Sequence, residues 1–242
     1  MKYEIMEQKF GTWAPYFREF IESEEFDEIF RTLKSLKPRG RIACPSKEQT
    51  FRCFSETPYE KLRAIFLFNT AYSSIENNTI MADGLALSSS NTGNVTPAMR
   101  RFYEGLGIDI AGEDFFETCS DADLGYLANQ GILLLNASLT AELHKPCSHF
   151  ELWKPFMKFF FIEIVNRYPV GLPIVFFGNP AASYAPLVFP FHHKVFKLED
   201  PLKETEVGWR AGGTFKMVNR LAKDTDPAFT GFRWLCEQPE FV

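Results

Sequence analysis

Gly131-Ile132-Leu133-Leu134-Leu135-Asn136-Ala137-Ser138-Leu139-Thr140, with Ser148-His149 shortly after, carries the most fold information in this chain. A run of apolar residues ends abruptly in an amide. That pattern describes a buried parallel strand that brings one polar side chain to its C-terminal tip. Ligands of open α/β sheets bind at such tips. An asparagine there offers a donor and an acceptor side by side, which suits the edge of a nucleobase.

Outward from this strand, residues 62–68 read as a second buried strand and 172–177 as a third, broken by Gly178-Asn179-Pro180. Residues 194–198 form a shorter fourth. Residues 14–36 show helical spacing, with Phe17, Phe20, Ile21, Ile29, Phe30 and Leu33 on one side, and Lys37-Pro38-Arg39-Gly40 ends the pattern. Ser46 is placed to cap a helix, with Gln49 at the capping-box distance. Pro97 opens a further helix in its first turn, behind Thr96 as N-cap. Residues 121–130 predict a short helix feeding the opening strand, 150–167 a long apolar helix, and 214–221 the last one. Strands alternating with helices predict a single α/β domain over residues 1–242, three layers α/β/α around a mainly parallel four-stranded sheet.

The 242 residues suffice for one substantial core, and 26 of them are Phe. No apolar run reaches bilayer-spanning length, and Met1-Lys2-Tyr3-Glu4 lacks the basic and apolar regions of a signal peptide, so a soluble cytoplasmic protein is expected. Cys44, Cys53, Cys119, Cys147 and Cys236 are odd in number and show no CxxC spacing, which supports neither a disulfide framework nor a zinc site. The net charge of −5 argues against broad nucleic-acid binding through charge alone, but leaves room for a local basic groove. The acidic run from Glu19 to Glu28 reads as a solvated helix face.

Several short motifs, in order along nearly the whole chain, resemble family 1 uracil-DNA glycosylases. Trp13 and Pro15-Tyr16-Phe17 resemble the family's N-terminal Trp and Pro-Tyr-Phe. Pro45 to Phe54 is similar to its proline, lysine and Phe-x-x-Phe segment, and Gly84-Leu85-Ala86-Leu87-Ser88 to its Gly-Leu-Ala-Phe-Ser. Thr96-Pro97-Ala98-Met99 resembles its DNA-clamping loop, and Phe177-Gly178-Asn179 its Trp-Gly-Ser loop. His192-His193 and Pro201-Leu202 stand where the family has a His pair and the Pro-Leu of a wedge loop. The resemblance implies that Asn136 hydrogen-bonds a flipped base beside Phe68, Tyr72 and Leu87. It implies that Leu202 enters the duplex to fill the vacated space. Ser88, Thr96, Pro97, Ala98, Gly178 and Asn179 would grip the DNA backbone.

The catalytic motifs depart from that pattern. The family's water-activating Gly-Gln-Asp-Pro-Tyr-His aligns with Phe68-Asn69-Thr70-Ala71-Tyr72-Ser73, so Thr70 replaces the catalytic Asp and only Tyr72 is retained. A carboxylate there polarises water and offsets charge on the cationic sugar. Threonine positions water without charge, and a one-residue shift puts Asn69 in the same role. The His of the family's His-Pro-Ser-Pro-Leu loop is lost as well: the chain reads Leu198-Glu199-Asp200-Pro201-Leu202, and Glu199 or Asp200 approximates the position. An ionised carboxylate cannot stabilise an anionic leaving group, but it can supply the anion missing from residue 70. We take Asn69, Thr70 and Glu199 as the candidate catalytic residues. Leu87 replaces a stacking Phe, giving up about 1–3 kcal/mol of base stacking while making room. The segment between Tyr72 and Gly84 is several residues longer than in the family.

Two readings follow. One is an active DNA glycosylase whose substrate is a modified base bulkier than uracil. Prokaryotic defence glycosylases of this superfamily attack phage cytosines such as glucosylated 5-hydroxymethylcytosine, and Asn136 can read cytosine by accepting from N4–H and donating to N3. The other is a noncatalytic module of the same fold that binds DNA or protein. DNA is the expected partner, with no membrane, and a monomer is expected. Hydrolysis of an N-glycosidic bond needs only water, so no cofactor or metal is implied. Cys147 and His149 lack a third ligand at useful spacing.

Overall fold

The computed structural model describes residues 2–112, 121–203 and 209–235; Cys119 and Cys236 lie outside them. Four strands, β1 (Ala64–Thr70), β2 (Ile132–Ser138), β3 (Pro173–Phe177) and β4 (Lys194–Leu198), form one parallel sheet in the order β2-β1-β3-β4. This is the expected α/β class. Ile65 of β1 stands opposite Leu133 on one side and Ile174 on the other. β2 and β3 are buried along their whole length, as their continuous apolar runs require. β4 is the edge, with Lys194 and Lys197 exposed and shielding it from further pairing.

Helices cover both faces. One layer holds α1 (Lys2–Phe10), α2 (Ala14–Glu22), α3 (Glu24–Leu36), α4 (Arg52–Glu56) and α6 (Phe150–Phe159); the other holds α5 (Pro97–Ala111) and α7 (Thr214–Thr225). Alternation along β3 serves both layers. Phe176 meets Phe161 on the first side, with ring centroids 5.8 Å apart, and Phe177 meets Phe102 of α5 on the second, at 6.2 Å. The abundant phenylalanines pack this interior: Phe10, Phe17, Phe54 and Phe156 are fully buried and in mutual ring contact.

Several boundaries differ from the sequence expectation. The single helix expected over 14–36 is two helices, because Ser23 is extended and its Oγ accepts from Phe26 N–H to cap α3. The helix expected over 150–167 is regular only to Phe159; Pro155 removes one ladder donor, and a π turn (Phe160–Ile164) and a 3₁₀ turn (Val165–Arg167) follow. Ser46 caps no helix: its Oγ lies 3.2 Å from Gln49 Oε1 within a turn, and α4 begins only at Arg52. Within 121–130 only Gly125–Ala128 is helical. Helix α1 went unread because it buries little beyond Met6 and Phe10. The last helix runs on to Thr225.

Two joints hold the base of the sheet, at the end away from the strand tips. Gly131 enters β2 at φ 100°, and a Cβ there would sit 2.1 Å from Lys61 O. His193 joins β4 to the rest: its Nδ1 accepts from Leu172 N–H and its Nε2 donates to Val165 O. Burial, reinforced by His192, pushes His193 down to about 4.

Gly131→Ala is expected to cost at least about 1–3 kcal/mol from backbone strain alone, read by chemical denaturation; a loss under about 0.5 kcal/mol would contradict the close approach. Because His193 is neutral in the fold and protonates more readily when unfolded, stability should be full above about pH 6.5 and fall as pH drops toward 4. At about 1.4 kcal/mol per unit the total approaches roughly 3 kcal/mol. The gap between denaturation curves at pH 7 and pH 4.5 should narrow once His193→Gln replaces the titrating ring, and a pH dependence unaltered by that change would refute the assignment.

Candidate active site

Strand order reverses at β1, whose neighbours β2 and β3 come from opposite directions of chain travel, and such a switch point opens a crevice at the strand tips. A cleft of about 600 Å³ lies there. That is within the roughly 300–1,000 Å³ range of small-molecule sites and exceeds what one flat pyrimidine fills. The end of β1 contributes Phe68, Asn69 and Thr70; β2 contributes Asn136; the loop after β4 contributes Asp200 and Leu202. Tyr72, Leu87, Thr96, Pro97 and Ala98 also line it.

Asn136 stands opposite Phe68 in the sheet and is 6% exposed, yet its Oδ1 has no hydrogen-bond partner. A buried amide oxygen without a partner is costly, which marks the position as one awaiting a ligand or water. Phe68 stacks face to face on Phe177, 4.1 Å between centroids, and forms a flat apolar wall. Tyr72 is fixed by its hydroxyl, which donates to Leu87 O at 3.1 Å and meets Thr96 Oγ1 at 2.7 Å. Burial pushes its phenol well above the ordinary tyrosine range. Leu87 holds a left-handed φ of 66°, so its carbonyl rather than its side chain sets the position of Tyr72.

A buried ionic frame carries that loop. Asp83 is fully buried; its Oδ2 accepts from Ser88 Oγ and Ser90 N–H and pairs with Arg52 at 3.0 Å. Arg52 also reaches Asp123, at 2.9 Å. Burying Asp83 is tolerable because the ion is paired and hydrogen-bonded. Neither Asp83 nor Arg52 was singled out from sequence; the signal was an acid directly before a glycine in a polar loop.

Four expected site residues, Glu199, Ser88, Gly178 and Asn179, do not line the cleft, and two that do, Thr96 and Asn69, have side chains already engaged within the protein. Glu199 is exposed and pairs with Lys203 Nζ at 2.9 Å, outside the cleft. The carboxylate that lines the cleft is Asp200. Ser88 is fully buried against Asp83 and Ala122 O, out of reach of a DNA phosphate. The Thr96 hydroxyl caps α5 by accepting from Met99 N–H and is bonded to the Tyr72 hydroxyl, so it is engaged within the protein. Asn69 is already engaged: its Oδ1 accepts from Ala181 N–H at 2.9 Å and its Nδ2 donates to Asp200 Oδ2 at 2.5 Å. Gly178 and Asn179 sit behind Asn69 and do not line the cleft.

Thr70 Oγ1 accepts from Cys147 N–H at 3.3 Å and borders the cleft. Burial, then the charge of Asp200, hold the Cys147 thiol above its usual range. His149 lies apart, its Nδ1 2.9 Å from Thr140 Oγ1, and burial lowers its basicity. Leu202 is 58% exposed on the lip of the cleft. Its loop is braced by Arg101 Nη1 on the carbonyls of Pro201 and Leu202, and by Trp209 Nε1 on Glu199 O. Among the described residues no helix is long and apolar enough to cross a membrane.

No protein-family model matches the chain. It is 29% identical over 195 residues to the uracil-DNA glycosylase of Coxiella burnetii (strain RSA 493 / Nine Mile phase I), covering 78% of this chain and 80% of that protein. It is 29% identical over 190 residues to uracil-DNA glycosylase 1 of Listeria monocytogenes serovar 1/2a, covering 77% and 80%. The crystal structure of mimivirus uracil-DNA glycosylase superposes with a TM-score of 0.79 at 17% identity, over 92% of this chain and 86% of that one. That of wild-type UNG from Nitratifractor salsuginis gives 0.60 at 18%, over 91% and 92%. Sequence likeness over most of both chains and the shared fold agree: the chain is similar to the uracil-DNA glycosylases and has their fold.

Proposed function

We propose that this protein is a DNA glycosylase that draws a base out of the helix into the cleft and hydrolyses its N-glycosidic bond. The base we infer is larger than uracil: a glucosylated or otherwise bulky 5-hydroxymethylcytosine of phage DNA, removed in defence of a prokaryotic cell. The glycosylase reading rests on the relatives, which are named uracil-DNA glycosylases. The observation that carries base recognition is the unpartnered Oδ1 of Asn136. With that oxygen accepting from N4–H and its NH2 donating to N3, Asn136 pairs with cytosine; with the amide reversed it pairs with uracil. The volume of the cleft favours the larger base, and so does the small antiparallel hairpin of Ile75–Glu76 and Thr79–Ile80 on its outer side, part of which lines it. Beyond Tyr72 the wall continues through Ser73, Ser74 and Glu76, with Asn94 Nδ2 donating to Glu76 Oε1 at 2.7 Å. Such polar groups suit a hydroxylated substituent.

In this reading Leu202 is the wedge, and its braced loop supplies a stiff apolar edge for the space the base leaves. Phosphates are held by the loops at the start of α5 and at Gly178-Asn179. Thr70 borders the place where water attacks. The protein acts as a monomer in the cytoplasm. An unpartnered amide kept at the strand tip, together with glycosylase relatives, speaks against a noncatalytic module.

The test is base release from DNAs carrying uracil, thymine, 5-hydroxymethylcytosine or its glucosylated form. Release of the glucosylated base with uracil left intact is expected; release of uracil alone would replace the modified-base reading by ordinary uracil excision. Asn136→Ala should slow release by about 10²-fold or more while duplex binding stays within a few-fold, because it removes donors and acceptors from the reacting base. Leu202→Ala should depress cleavage of duplex DNA more than of single strands, and equal loss on both would remove the wedge role.

A further inference from the structure

We propose that Asp200, aimed into the cleft by Asn69, is the catalytic anion that faces the cationic sugar during base release. The inference deepens the glycosylase reading and rests on it. Residue 70, where the family resemblance implies a carboxylate, is a neutral threonine. Among the described residues that line the cleft, only Glu76 and Asp200 carry carboxylates. Glu76 stands on the outer hairpin and is bonded by Asn94. Asp200 follows the tip of β4 and touches the tip of β1, where the sugar of a base held by Asn136 must lie.

The orientation of Asn69 is forced. Ala181 N–H can only meet an acceptor, so Oδ1 faces Ala181 and the NH2 must face Asp200. The Asn69 NH2 is thus a donor aimed at a carboxylate oxygen, which fixes the direction of the Asp200 side chain. Gly178 permits this: a Cβ there would lie 2.4 Å from Asn69 Nδ2, where no real side chain is tolerated. The other carboxylate oxygen, Oδ1, accepts from Leu202 N–H at 2.8 Å and holds the group against rotation. Asn69 is thus a positioning residue, which explains why it bridges two elements rather than standing open to water.

In the reaction the C1′–N bond breaks and its electron pair leaves on the base. Positive charge builds on C1′ and the ring oxygen. Water then adds its oxygen to C1′, and the proton it gives up neutralises the departed base through solvent. Asp200 stays ionised throughout; its contribution is electrostatic, fixed in place before the bond breaks.

The experiment compares binding of duplex DNA carrying a cationic pyrrolidine abasic analogue with the neutral tetrahydrofuran analogue. Wild-type protein should prefer the cation by ~10-fold or more, as a charge pair near a protein surface allows. Asp200→Asn should abolish the preference while neutral-analogue binding holds, and Asn69→Ala should reduce it. If Asp200→Asn also loses neutral binding, Asp200→Ser, whose hydroxyl can still accept from Leu202 N–H, replaces it. A preference that survives both Asp200 variants, or is absent from wild-type protein, overturns the proposal. Base release that persists without any preference would sink this inference alone. Wild-type protein that neither releases a base nor binds either abasic duplex above intact DNA would sink the glycosylase reading with it.

Discussion

The pairing of β1 on both of its edges is the constraint from which the site follows. Ile65, Phe66 and Leu67 are bonded to β2 on one side and β3 on the other, with helices above and below. No polar side chain can be placed in the body of such a strand without an unpaired group in the core. Polarity is therefore displaced to the tips, where Asn69 and Thr70 end β1 and Asn136 follows Leu135 in β2. Because the strands are parallel, all these tips lie at one end of the sheet. The cleft is the direct outcome of burying everything beneath it.

Around the tips, the supporting loops are held by charge rather than by apolar packing. Arg52, from the helical layer, reaches Asp83 and Asp123, and Asp83 in turn orders Ser88 and Ser90. That frame places Leu87, whose carbonyl anchors Tyr72. Loops at a strand end cannot bury enough hydrocarbon to become rigid, so a paired internal ion does this work through short directional bonds. A left-handed leucine at residue 87 is strained by itself and persists because its surroundings over-determine it.

The architecture was legible in the sequence to the extent that burial dictates it. The strand segments read from continuous apolar runs are the four strands of the sheet, and the 194–198 strand agrees to the residue. Helix ends were read less well, because Ser23 and Pro155 act through local bonding that apolar spacing does not register. At the site, the expected strand-tip residues Asn136, Thr70 and Phe68 all line the cleft. Several of the expected loop residues do not. Glu199 and Asp200 are adjacent acids with equal sequence credentials, and only the turn closed by Leu202 N–H decides which one enters. Ser88 and Thr96 look like surface hydroxyls in a Ser/Asn/Gly-rich stretch, but each completes a bond network whose partners lie far away in the chain or in the next helical turn.

The braced turn at Leu202 has a mechanical consequence. Asp200 Oδ1 holds the backbone of the very residue that stands on the lip, while Oδ2 holds Asn69 inside the cleft. Arg101 and Trp209 restrain the same few residues from outside. The lip and the interior charge are thus one lever, pivoting on a single carboxylate. A duplex pressed against Leu202 loads that lever, and the charge inside cannot shift independently of how the helix is seated.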